Sequence, residues 1–156
     1  TTLTAASDAG NIDFTGLSDK TEYNVSIAKD GDDYKVTVTK LCPYWMVGAI
    51  NYNEGNVFTR MEATDTDGVY TYTFKYNSDM SKNWGSPADG VAFKITDGNG
   101  SWNAKICDVK IKLGEDFVSS GTDGNAVLSG LEKDKEYVIT VKDTAGTLTV
   151  KAALKE

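Results

Sequence analysis

At 156 residues the chain suffices for one domain, or one domain plus part of another, and 40% hydrophobic with 25% charged residues marks it as folded rather than disordered. The net charge of −7 disfavours nucleic acid and anionic membranes as partners, since both select Lys/Arg patches. The absence of histidine removes Ser-His-Asp and Cys-His catalysis and most zinc sites, and no apolar run approaches the roughly 20 residues of a membrane-spanning helix.

The opening TTLTAASDAG reads as part of a longer chain. Residues 11–17 predict a short strand ending at Gly16. Residues 22–28 predict a strand with Tyr23, Val25 and Ile27 on one face. An Asp/Gly turn at 30–33 follows, and residues 34–39 return with Tyr34, Val36 and Val38 on one face. YWMVGAI, 44–50, is an almost continuous apolar run, so both its faces should be covered and Trp45 should lie in the core. Residues 57–61 form a short strand. The Asp-Thr-Asp-Gly at 65–68 lacks a calcium ligand set, with Ala63 in the first ligand position, and reads as a hairpin turn. Residues 69–76 alternate strictly. The stretch 77–84 supports at most one helical turn, inside a polar loop that carries Asn83 and Trp84. A strand over 109–113 and a last hairpin over 136–152 close the chain.

Residues 91–105, VAFKITDGNGSWNAK, are the centre of the functional reading. Val91, Phe93 and Ile95 give one apolar face. The chain then breaks on Asp97-Gly98-Asn99-Gly100, where both glycines can take positive φ. Trp102 follows, with Ser101, Asn103 and Lys105 beside it. A Trp on such a turn is a flat, stiff surface ringed by hydrogen-bonding groups, as a sugar ring requires. The bland alternative is a packed Trp at a sandwich edge. Trp84 with Asn83, and Tyr52 between Asn51 and Asn53, are candidates for a second aromatic.

Cys42 and Cys107 could close a long loop or be two buried thiols. Among 23 acidic residues a close carboxylate pair arises by chance, so the chain is not read as an enzyme, and no metal or cofactor is expected. Asn11–Leu17 and Asn125–Leu131 share a pattern at an offset of 125 − 11 = 114, and Glu22-Tyr23 recurs as Glu136-Tyr137. The physical reading is a strand, a tight turn and a hairpin used twice. Either the first forty residues end a preceding module, or both hairpins belong to one domain; docking of the first hairpin onto the central sandwich is the expected arrangement. The expected division is 1–41, a strand and hairpin segment, and 42–156, a β-sandwich.

The order YWMVGAI, Met61, DGVYTYTF, FKI, GSW, EYVITV and GTLTV resembles the starch-binding β-sandwich modules of gut-bacterial surface proteins, of the SusE/SusF and starch-adherence types. The resemblance covers roughly residues 43–154 and implies an all-β, immunoglobulin-like antiparallel β-sandwich. It implies non-catalytic binding of starch or another α-glucan by Trp102 and a second aromatic, Tyr52 or Trp84, with Asn103, Lys105 and Asn83 near the sugar hydroxyls. The Asn-Gly-Trp common in such modules is replaced here by Asn51-Tyr52-Asn53. The parent would be a secreted or cell-surface protein in which this is a monomeric module of a multi-domain chain. The competing expectations are a structural immunoglobulin-like spacer and a protein-docking module.

Overall fold

A computed structural model describes residues 4–8, 11–18, 21–51, 57–119 and 123–156. The chain forms two compact units, Thr1–Cys42 and Pro43–Glu156. In the first, β1 (Thr4–Asp8) pairs antiparallel with β2 (Asn11–Thr15), and β3 (Tyr23–Asp30) pairs antiparallel with β4 (Asp33–Lys40). Val25 faces Val38 and Ile27 faces Val36, so the period-2 pattern does place the apolar residues on one face. Val25, Ile27 and Tyr34 are nevertheless 49%, 61% and 72% exposed.

The second unit is an all-β sandwich. Its strands are β5 (Trp45–Gly48), β6 (Thr59–Arg60), β7 (Glu62–Ala63), β8 (Val69–Lys75), β9 (Val91–Thr96) and β10 (Ala104–Ile106), then β11 (Lys110–Ile111), β12 (Asp116–Val118), β13 (Ala126–Leu128), β14 (Glu136–Thr144) and β15 (Thr147–Leu154). One sheet has the order β12-β15-β14-β8-β7, the other β11-β13-β9-β5-β6. β13 and β10 share one edge of β9 end to end: β13 pairs Val91 to Phe93, and β10 pairs Ile95 and Thr96. The described pairings are antiparallel except β11 with β13, and an isolated bridge from Leu113 to Ala152, which are parallel. β12 lies in the opposite sheet, so the chain leaves after β11 and re-enters in the same direction as β13, a route no tight hairpin could make.

The core lies between the sheets. On β14 and β15, Tyr137, Ile139, Val141, Leu148, Val150 and Ala152 are buried and alternate with wetter neighbours. Met46, Phe93, Ile95, Ile106 and Leu128 are fully buried on the other sheet. Each such side chain contributes about 1.5–3 kcal/mol of burial. Tyr44 meets Tyr70 edge-on at 5.3 Å, and its hydroxyl donates to Asp143 Oδ2 at 2.7 Å. The Tyr137 hydroxyl accepts from the Glu132 N–H at 2.8 Å, pinning the corner where the chain crosses from β13 to β14.

Two sequence expectations need correction, and a third is met. The 44–50 run is not one strand: it stops at Gly48, with φ 142, and continues as a 3-10 turn over Ala49–Asn51. A Cβ at residue 48 would lie 2.6 Å from Ala92 O and Phe93 Cα, so only glycine lets the chain pass β9 here. Trp45 is not in the core. Met46 pairs with Ile95 and shares its inward face, which turns Trp45 outward, half-buried, with the Arg60 guanidinium 4.7 Å from its ring. The helical turn in 77–84 exists as a 3-10 helix, Ser78–Lys82, whose N-cap Asn77 side chain accepts from Asp79 N–H.

Candidate functional site

β9 carries the chain to the turn that presents Trp102. Thr96 is buried and its hydroxyl donates to Gly98 O at 3.2 Å, anchoring the start of the turn. Ser101 N–H returns to Gly98 O, and of the two glycines that can take positive φ here, Gly100 does so, at 76. The register between β9 and β10 slips between Ala104 and Ile106, a bulge that ends regular pairing just beyond Trp102. Trp102 stands 50% exposed.

Trp84 comes from a second turn. Ser86 N–H donates to Asn83 O at 3.0 Å, and the two residues between, Trp84 and Gly85, have φ of 60 and 70. Two positive φ values at the central positions are the signature of a type I′ turn, normally filled by Asn, Asp or Gly. A bulky aromatic there stores on the order of 1–3 kcal/mol of strain. The surroundings hold it: Asn125 Nδ2 donates to Trp84 O at 2.9 Å, and the Ser86 hydroxyl donates to Asn83 O at 2.7 Å while accepting from Ala92 N–H.

The two turns bring the indoles together. The Trp84 and Trp102 ring centroids are 6.0 Å apart with 22° between planes, and the Phe58 ring meets Trp102 edge-on at 5.2 Å. Stacked rings in contact are about 3.5–4.0 Å apart vertically, so a 6.0 Å centroid separation belongs to an offset pair, in which neither ring covers the other's face completely. The result is a stepped aromatic surface at the β9 end of the sandwich, with Trp102 as its wetter half.

Asp97 organises the polar rim. Its carboxylate accepts from the Ser101 hydroxyl at 2.8 Å, from Asn103 Nδ2, and forms an ion pair with Lys105 at 3.1 Å. Asn103 and Lys105 therefore do lie beside the Trp102 turn, but bound to Asp97 rather than simply held out to solvent. Asn83 is half-buried next to Trp84, with its carbonyl used by the turn. Tyr52 lies outside the described residues.

The Ser101 hydrogen bond, then Lys105 and Asn103, hold the Asp97 carboxyl below its ordinary pKa. A lowered folded-state value means that its stabilisation of the turn is full above the unfolded pKa, about 3.9. It is lost as pH falls through the lowered value. Tryptophan emission should change below about pH 4 before far-UV circular dichroism is lost, and Asp97→Asn should lack that change. An identical acid titration in the variant would contradict this role.

Sequence reasoning missed Phe58, Asp97 and Asn125. The spacing of Asp97, Ser101, Asn103 and Lys105 within one turn was a readable signal for Asp97. Nothing local marks Phe58 or Asn125, which reach the site from positions just ahead of β6 and β13, distant in sequence from Trp84 and Trp102. No protein-family model, curated protein or solved structure matches the chain.

Proposed function

We propose that the second unit binds α-glucan, a starch or maltooligosaccharide chain, without hydrolysing it, as one module of a secreted or surface-attached bacterial protein. The observation that carries this reading is the Trp84–Trp102 pair, with one indole held half-exposed and the other at a strained turn apex. Strain at the part-buried Trp84 is costly, and such strain is commonly kept where function needs the ring in place. The C–H face of glucose matches an indole plane, and the offset between the rings suits a curved α-1,4 chain better than the flat ribbon of a β-glucan. A shallow site of this kind gives micromolar to millimolar affinity, on the order of 4–8 kcal/mol.

The deciding experiment is an affinity gel with starch, pullulan and a β-glucan, followed by calorimetry with a maltooligosaccharide. Retardation by the α-glucans alone is the expected result. No retardation by any of the three sinks the reading. A spacer role draws on one specific observation, the contacts of Trp102 with both Trp84 and Phe58, which are also what a packed surface cluster makes. A spacer gives no change in tryptophan fluorescence on adding maltooligosaccharide.

Binding should be indifferent to chelators, because ring stacking needs no cation. Loss of starch retardation in a chelator, restored by calcium, would contradict the reading of the Asp-rich turns as plain hairpin turns.

A further inference from the structure

The hairpin of the first unit reproduces the closing hairpin of the sandwich position by position. With the 114-residue offset, β4 (Asp33–Lys40) maps onto β15 (Thr147–Leu154), and Tyr23 to Asp30 maps onto Tyr137 to Thr144. The pairing registers coincide: Tyr23 faces Lys40 as Tyr137 faces Leu154, and Val25 faces Val38 as Ile139 faces Ala152. The hydrogen bonds around the hairpin coincide too. Tyr23 OH accepts from Ser18 N–H at 2.9 Å as Tyr137 OH accepts from Glu132 N–H at 2.8 Å. Leu41 N–H donates to Glu22 O at 2.9 Å as Lys155 N–H donates to Glu136 O at 2.9 Å. Gly16 and Gly130 occupy the same place before the corner, with φ of 81 and 78.

One property does not coincide. Ile139, Val141 and Leu148 are buried against the sandwich, while their counterparts Val25, Ile27 and Tyr34 are largely exposed. The tyrosine corner is a device for a chain crossing between two packed sheets. A two-stranded hairpin with a bare apolar face is marginal by itself. The pairing of β2 differs in the same sense: β13 lies between β9 and β11, whereas β2 pairs with β1.

We infer that residues 11–41 are the closing strands of a second sandwich of the same type, and that the occupant of the Val25/Ile27/Tyr34 face is the chain that precedes Thr1. In the complete unit β14 is flanked by β8 and β15 by β12. The preceding chain supplies the equivalent of β8 to the free edge of β3, and the equivalents of β5 and β9 to the apolar face; the offset carries β12 to residues 2–4, so that strand's equivalent belongs to the start of the present chain. The offset carries Pro43 to 43 − 114 = −71, so roughly seventy residues ahead of Thr1 hold the missing strands. The protein is then a tandem array in which one sandwich ends at about Leu41 and the next begins at Pro43. This inference does not depend on what the sandwich binds.

Hydrogen exchange read by mass spectrometry tests it, on the 156-residue chain and on the natural chain extended at its N-terminus to include the preceding residues. Amides of β14 and β15 serve as the internal reference and should be equally protected in both. Amides of β3 and β4 should exchange at least about a hundredfold more slowly in the extended chain. Ile27→Asp should lower the melting temperature of the extended chain and leave that of the 156-residue chain unchanged. Three results would overturn the inference: strong protection of β3 and β4 in the 156-residue chain, equal exchange in both chains, or a gene encoding too few preceding residues to form the missing strands.

Discussion

Trp102→Ala should weaken maltooligosaccharide binding at least tenfold, about 1.4 kcal/mol, and leave the sandwich folded. The indole is half-exposed on a turn, so the mutation opens no core cavity. It does remove two ring contacts, to Trp84 and Phe58. Aromatic pairs are worth about 0.5–1.5 kcal/mol each, so the melting temperature should fall by several degrees rather than collapse. Trp84→Gly makes a sharper companion. Glycine accepts φ of 60 without strain, so relief of about 1–3 kcal/mol offsets the lost stack. That variant should melt within a few degrees of the parent and still lose binding. Calorimetry and thermal melting on both variants read the two quantities separately. Full binding by both rejects the aromatic site. A collapsed melt for both shows the cluster to be a structural plug.

Gly90→Ala should be the most damaging single-methyl change, and it should reach the candidate site as well as the fold. A Cβ at residue 90 would lie 2.0 Å from Leu128 O and 2.9 Å from Ser129 Cα, both backbone atoms that cannot rotate away. The loop carrying Trp84 enters β9 at this point. Gly90 N–H donates to Pro87 O, and the Ser81 hydroxyl donates to Gly90 O at 2.8 Å. To admit the methyl, β13 must move off β9 or the loop must lift. Overpacking costs about 1–3 kcal/mol and sometimes more. The backbone nature of the clash places this case at the upper end, so a fall of about 10 °C in melting temperature is expected. Binding by the folded fraction should also weaken, since lifting the loop separates Trp84 from Trp102. A variant that melts like the parent would show that Gly90 is not constrained by this approach.

Much of the architecture follows from the sequence alone. The β3–β4 and β14–β15 hairpins were legible because strict alternation fixes one apolar face and Gly/Asp pairs mark the reversals. The repeat at 114 residues, and the placing of Trp102 on a glycine turn beyond the 91–96 strand, are likewise local properties. Alternation does not say which face looks inward, nor what covers it. Trp45 is turned outward by the register of β5 on β9, a pairing between strands about fifty residues apart. The parallel β11–β13 pair depends on β12 joining the opposite sheet. Trp84 takes a left-handed conformation that its own residue type opposes, because Asn125 and the Ser86 turn hold it there. The meeting of Trp84, Trp102 and Phe58 joins three segments, each of which reads locally as a loop or a short strand. The sequence by itself determined the two long hairpins, the 69–75 and 91–96 strands, their apolar patterns and one aromatic of the candidate site, because those are set by neighbours along the chain. Tertiary structure decided the facing, the aromatic partners and the capture of Asn103 and Lys105 by Asp97, because those depend on which remote strands and turns come to lie side by side.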